Sequence, residues 1–316
     1  MATGLFEEKE YESAASHELS TPSTWSFRRR PACWPVGQML EAVLGIDAGF
    51  DPAKREIWRL LEVPRPGGVR VTPDMWFGSP AGLPTVPDLT CQRVSLFVNF
   101  KRPENYVRKG RKLFGTPYLR FSVRSHPRSP NQHAILRALA GNLSEQVAVV
   151  RYAAPAFRRR TELEGFKATR DVLRMSCFVS PLEINAPHTA WAYQGPGLLG
   201  APNPDGEPRR TEDFESLAAT VISEDRPLSN LRDHLDDLAA VCRETLPPSL
   251  EKRIEAWLDQ ASTQLDFALG RDRDVVGALR SLVIVSSATA RAGAAWLHLV
   301  RSSADPWIGA DRSRTS

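Results

Sequence analysis

Apolar and polar positions alternate along the chain with periods that change from segment to segment. The clearest segment is Val94-Ser95-Leu96-Phe97-Val98-Asn99-Phe100, closed shortly afterwards by Pro103. A short apolar run that ends where proline withdraws a backbone donor predicts a buried strand. Period two places Leu96, Val98 and Phe100 on one face and Phe97, Asn99 and Lys101 on the other. Tyr118 to Val123 alternates in the same way. Gln132 to Leu143 changes to a helical period through Ile135, Leu136, Leu139 and Leu143. Val147 to Tyr152 is apolar again and ends before Pro155, so the order strand, helix, strand predicts an α/β core with a parallel pair. Thr161 to Leu173 reads as a further helix and Met175 to Ile184 as a further strand.

Around this core the pattern weakens. Residues 1–30 are polar and read as a short acidic helix followed by a loosely held arm. From Pro35 a helical spacing runs through Val36, Met39, Leu40, Val43 and Leu44 and stops at Gly45. Ile46 to Phe50 follows as an extended segment. Gly-Pro, Asn-Pro and Asp-Gly pairs between Gly195 and Pro208 mark a boundary. Beyond it the chain reads as helical, with a stripe of Leu250, Ile254, Trp257, Leu258, Ala261 and Leu265 and a last helix from Asp272 to Arg301. The expected organisation is an extension over 1–30, an α/β domain over 31–204 and an acidic helical domain over 205–316.

Composition fits a globular protein, with 42% apolar and 25% charged residues. Cys33, Cys91, Cys177 and Cys242 form no CxxC pair, which points to reduced thiols and a cytoplasmic protein. The longest apolar stretch, Leu282 to Val300, carries Arg291 and His298 and reads as a buried helix, so no membrane partner is expected. Charge is uneven. Lys101 to Arg170 holds 16 Lys and Arg against 4 Asp and Glu, whereas Asp205 to Asp274 holds 9 against 17. A basic middle suits a polyanion. The acidic helices suit a protein partner and make a poor DNA surface. There is no P-loop, GxGxxG or nucleophile elbow, so the chemistry must lie elsewhere.

Asn99 and Lys101 are the candidates. A carboxamide and an ammonium two apart at a strand end are costly in a core, yet they suit an edge that faces a metal and a phosphate. The plainer reading is a strand tip that reaches solvent. Glu41 and Asp47 can join them in one site, since metal-dependent phosphodiester hydrolysis needs oxygen ligands and a group that places the attacking water.

Glu41, then Leu44-Gly45-Ile46-Asp47, then Val98-Asn99-Phe100-Lys101-Arg102-Pro103 together resemble the PD-(D/E)xK superfamily of restriction-endonuclease-like nucleases. The resemblance continues through Pro117 to Phe121, Gln132-His133 and Val150 to Phe157, and covers about residues 35 to 195. It implies a central mixed sheet flanked by helices and Mg²⁺- or Mn²⁺-dependent cleavage of DNA, in restriction or anti-phage defence. It also implies roles: Asp47 as central metal ligand, Glu41 as a helix-borne second ligand, and Lys101 as the group that positions water. Asn99 stands where relatives carry an acid or Gln. An amide oxygen binds Mg²⁺ more weakly, so Asn99→Asp is expected to tighten the metal. A decayed nuclease scaffold that only binds nucleic acid or a protein is the competing expectation.

Asp88 and then Asp74 are rivals to Asp47, each in a literal Pro-Asp pair. Gln132 and His133 are secondary candidates near phosphate, although a lone helical histidine is more often structural. Arg102, Arg108, Lys109, Arg111, Lys112 and the triplet Arg158-Arg159-Arg160 are the expected DNA-backbone contacts, with a merely solvated surface as the alternative for the triplet. Trp191 and Tyr193 are expected to pack in a core rather than stack on bases.

Overall fold

The computed structural model describes residues 5–19, 91–106, 118–124, 132–203, 206–221, 228–229, 231–252, 254–256, 281, 284–285, 287–289 and 291–301. Its elements are, in chain order, α1 (Glu8–Leu19), β1 (Cys91–Phe100), β2 (Glu104–Tyr106), β3 (Tyr118–Ser122), α2 (Gln132–Asn142) and β4 (Ala148–Pro155). There follow α3 (Arg160–Thr169), β5 (Ser176–Val179), β6 (Ala190–Tyr193), β7 (Leu199–Asn203) and β8 (Arg209–Arg210). The last are α4 (Phe214–Val221), β9 (Leu228–Ser229), α5 (Leu231–Thr245) and β10 (Ala295–Arg301).

Among the described residues the protein is mixed α/β with two sheets. The first runs β10-β1-β4-β5, with β9 also paired to β1; the second runs β2-β3-β6-β7-β8 and is antiparallel throughout. β1 and β4 are parallel in the register Ser95↔Ala148 to Phe100↔Ala153, joined through α2 as the strand-helix-strand order anticipates. β1 is covered on both faces, which is why its sequence is a near-continuous apolar run. Leu96, Val98 and Phe100 pack with α1, α3 and α4 through Tyr11, Leu19, Leu163 and Leu217. Phe97 faces the other way, among Leu136, Leu139, Leu238, Ile284 and Trp296. Its ring stacks on Trp296 at 6.1 Å. Among the described residues no helix is long and apolar enough to cross a membrane.

Three features of the described residues go beyond the sequence pattern. The acidic N-terminal helix is a core layer rather than an appendage. Tyr11 and Leu19 are fully buried, Tyr11 meets Phe100 edge-on at 5.5 Å, and the Glu18 carboxylate accepts the Val172 and Leu173 N–H groups at 2.9 and 3.0 Å. The stretch read as one last helix to Arg301 divides: residue 291 is helical, Gly293 takes φ +58°, and the chain returns as β10. A positive φ costs glycine little, so the reversal falls there. Finally, elements beyond residue 205 are not set apart in packing. β10 lies antiparallel beside β1, Phe214 and Leu217 share the α1 side of the sheet, and Leu235 and Leu238 share the α2 side.

Candidate functional site

Asn99 and Lys101 project from the carboxyl-terminal end of β1, beside the end of β4. Ligands in open α/β sheets gather at that edge, because helices leave a crevice beyond the strand ends. The Lys101 N–H donates to Ala153 O at 2.8 Å and so carries the parallel ladder one step past the strand. Lys101 is half-buried, whereas Asn99 is 2% exposed.

The Asn99 amide is held at one end only. Its Nδ2 donates to Ala292 O at 3.1 Å and to Gly293 O at closer range. Both partners are carbonyls, so the nitrogen must face them and the orientation of the amide is fixed. Oδ1 then points away, buried and, among the described residues, without a hydrogen-bond partner. Buried polar atoms are rarely left so, and an orphaned oxygen asks for a donor or a cation. As a hard oxygen ligand it fits Mg²⁺ in kind. The same geometry bears on Asn99→Asp: an ionised carboxylate cannot donate, and it would stand against two carbonyl oxygens. The residue in this place must be an amide for a reason sequence spacing could not supply.

His133, at the start of α2, lies beneath this edge. Its Nε2 is 2.9 Å from Ile184 O and its Nδ1 is 2.8 Å from the Tyr152 hydroxyl. A carbonyl only accepts, so Nε2 carries the proton and Nδ1 accepts from Tyr152. Burial holds the imidazole below its ordinary pKa, with the Ile184 contact opposing and the charges of Arg137 and Lys101 adding to the depression. Burial also pushes the Tyr152 phenol far up, which keeps it a donor. Both ring nitrogens are engaged, so His133 is a strut between α2, β4 and the 184 turn. Gln132, the first residue of α2, is half-buried beside it. Tyr152 carries no site motif in the sequence, yet it is the β4 register partner of Asn99. Its position two before the closing Ala154-Pro155 is the only sequence signal that could have found it.

Of the expected backbone contacts, Arg102, Arg158, Arg159 and Arg160 are described. The Arg102 N–H donates to Glu8 Oε2 at 2.9 Å, and its guanidinium stands 4.0 Å from Glu7. Arg160 pairs with Glu10 at 2.9 Å. Arg158 and Arg159 give their backbone N–H groups to Glu162 Oε2 at 3.1 and 2.7 Å, closing the first turn of α3 as a capping box. The basic excess of the middle segment is therefore partly met by acids from outside it. Arg151, 8% exposed, is likewise paired inside the fold, with Glu212 from outside the segment at 2.6 Å and Glu145 from within it at 2.8 Å.

Trp191 and Tyr193 are 1% and 0% exposed, so they pack rather than stack on bases. Glu41, Asp47, Asp74, Asp88, Arg108, Lys109, Arg111 and Lys112 lie outside the described residues. Among the described residues no group of three His, Cys, Asp or Glu side chains is arranged to hold a metal. No family model matches the chain, and neither a curated protein nor a solved structure matches it.

Proposed function

We propose that the chain is a metal-dependent nuclease of the restriction-endonuclease-like type, cutting DNA in restriction or defence against phage. The observation that carries this reading is the orphaned Asn99 Oδ1, two residues before Lys101 at the end of a parallel strand pair. Asn99 Oδ1 would hold Mg²⁺ together with Asp47 and Glu41, which enter through the resemblance. The bound ion would supply Lewis-acid polarisation of the scissile phosphate. Lys101 would orient the attacking water through its ammonium protons, and Arg102 and the 158–160 triplet would take flanking phosphates as charge-assisted contacts.

One observation favours the second reading, a nuclease scaffold that binds nucleic acid or a protein without cutting. Asn99 already has structural employment as the clamp on the turn before β10. A plasmid-nicking assay with Mg²⁺ or Mn²⁺ separates the two. The nuclease reading expects cleavage by wild type, none by Lys101→Ala or Asp47→Ala, and DNA affinity within about threefold for Lys101→Ala, because one phosphate contact among several is a small loss. Cleavage that survives both substitutions removes the site. Binding with no cleavage under either metal leaves the scaffold.

A further inference from the structure

The acidic first turn of α1 meets the arginines assigned to DNA through three separate contacts. Glu8 accepts from the Arg102 backbone at 2.9 Å, Glu7 faces the Arg102 guanidinium at 4.0 Å, and Glu10 pairs with Arg160 at 2.9 Å. Nothing in this arrangement is accidental crossing of mobile tails. Leu5 bridges to Arg159, and Phe6, 1% exposed, packs on Phe157 at 5.5 Å. Tyr11 anchors the next turn at 0% exposure. Glu10 is also tied back to the Glu7 N–H at 2.7 Å, and that bond, more than Arg160, holds its carboxyl below the ordinary range. It is an anion at neutral pH.

At this corner the guanidinium groups of Arg102 and Arg160 thus face Glu7 and Glu10, whereas Glu8 and Glu162 take backbone N–H groups of Arg102, Arg158 and Arg159. The side-chain pairs are exposed, Arg102 and Glu7 at 45% and 68% and Arg160 and Glu10 at 55% and 41%. Exposed pairs of this kind are weak and readily exchanged. A phosphate can take a guanidinium from a carboxylate by moving side chains alone, with α1 left in the core.

We infer that the start of α1 is a built-in electrostatic brake on polyanion binding: Glu7, just before the helix, and Glu10, in its first turn, occupy the guanidinium groups of Arg102 and Arg160 until a nucleic-acid backbone displaces them, while Glu8 holds the Arg102 backbone. The inference rests on the nucleic-acid reading above and adds its regulation. The brake sets a threshold, so that isolated anions and short polyanions fail where a long backbone, engaging several cations together, succeeds.

The test is fluorescence anisotropy with a labelled 20-base-pair duplex over a salt series, on the full chain. Glu7→Gln/Glu8→Gln/Glu10→Gln should bind about tenfold tighter at low salt, with a salt slope steeper by about two, since two released arginines each neutralise one phosphate. Gln at position 10 keeps the acceptor that closes the α1 turn, and Glu7→Gln/Glu8→Gln leaves that cap untouched; the double variant should gain about threefold. In an Arg102→Ala/Arg160→Ala background the gain should vanish. A gain that persists there is general charge and overturns the brake. Equal affinity and slope for wild type and triple variant, with Arg102→Ala/Arg160→Ala still weakening binding, also overturns the brake while the nucleic-acid reading stands. Absence of binding by every variant removes that reading and the brake with it.

Discussion

Asn99 shows how one side chain can be fixed by groups that are remote in sequence. Its Nδ2 bonds to carbonyls 193 and 194 residues away. Asn99→Asp would remove both donors from a buried site and place a charge against two oxygens, a loss of about 3 kcal/mol. A buried carboxyl has a raised pKa, and its protonated form can donate to one carbonyl. The destabilisation should therefore be largest above neutrality and shrink as pH falls. Urea unfolding of wild type and Asn99→Asp at pH 5 and pH 8 measures both parts, and equal midpoints at both pH values would mean the amide nitrogen is not bonded as described. The faces of β1 were legible because alternation is local: Leu96, Val98 and Phe100 part from Phe97 and Asn99 as period two requires. The clamp was not legible, since its partners lie in a turn that reaches β1 only through tertiary structure. His133 was half legible. A lone helical histidine reads as structural, but its tautomer needs Tyr152 and Ile184 in place.

Among elements, a clear period or a short apolar run gives the right type, whereas burial and the division of longer runs need tertiary structure. α2 follows its stripe closely, from Gln132 to Asn142 with Ile135, Leu136 and Leu139 buried. α1 hides its buried face in small and polar residues, Ala14, Ala15 and Ser16, so its role in the core left little apolar signal. The run from Leu282 to Val300 is mostly apolar or small, and periodicity alone cannot divide such a run into helix and strand. Gly293 was the available clue. The stretch from Gly195 to Pro208 reads as a linker because its turn residues are real, yet between them β7 pairs with β6 in the register Ala190↔Asn203 to Tyr193↔Gly200. Gly200 serves that strand by lacking a side chain. A methyl added there would lie 2.6 Å from Trp191 Nε1 and 2.7 Å from Thr211 Cγ2. Both neighbours are buried, so neither can yield freely. Gly200→Ala should lower stability by about 2 kcal/mol, the usual scale of overpacking. Its urea midpoint checks this, and an unchanged midpoint would show that β6 and β7 are further apart than described.

For the molecule as a whole, the decisive question is whether the chain before residue 204 can stand alone. Charge argues that it can, since the basic middle and the acidic end differ so sharply. Packing argues that it cannot. β10 pairs with β1 over seven positions, Gln92↔Arg301 to Val98↔Ala295, and Trp296 closes over Phe97. Phe214, Leu217 and Val221 cover one face of the sheet, while Leu235, Leu238 and Cys242 cover the other. Burying one large apolar side chain contributes about 2 kcal/mol. Four such losses reach about 8 kcal/mol, within the whole stability of an ordinary domain at about 5–15 kcal/mol. Truncation would remove more than four, and would also expose the β1 edge that β10 covers, an invitation to aggregate. A chain ending at Asn203 should therefore be insoluble or lack a cooperative unfolding transition, and co-expression of 204–316 as a separate chain should recover soluble material. Circular dichroism and urea unfolding read the outcome. If the truncated chain is soluble and unfolds cooperatively, the elements after residue 205 are an added layer and the charge boundary is also a folding boundary.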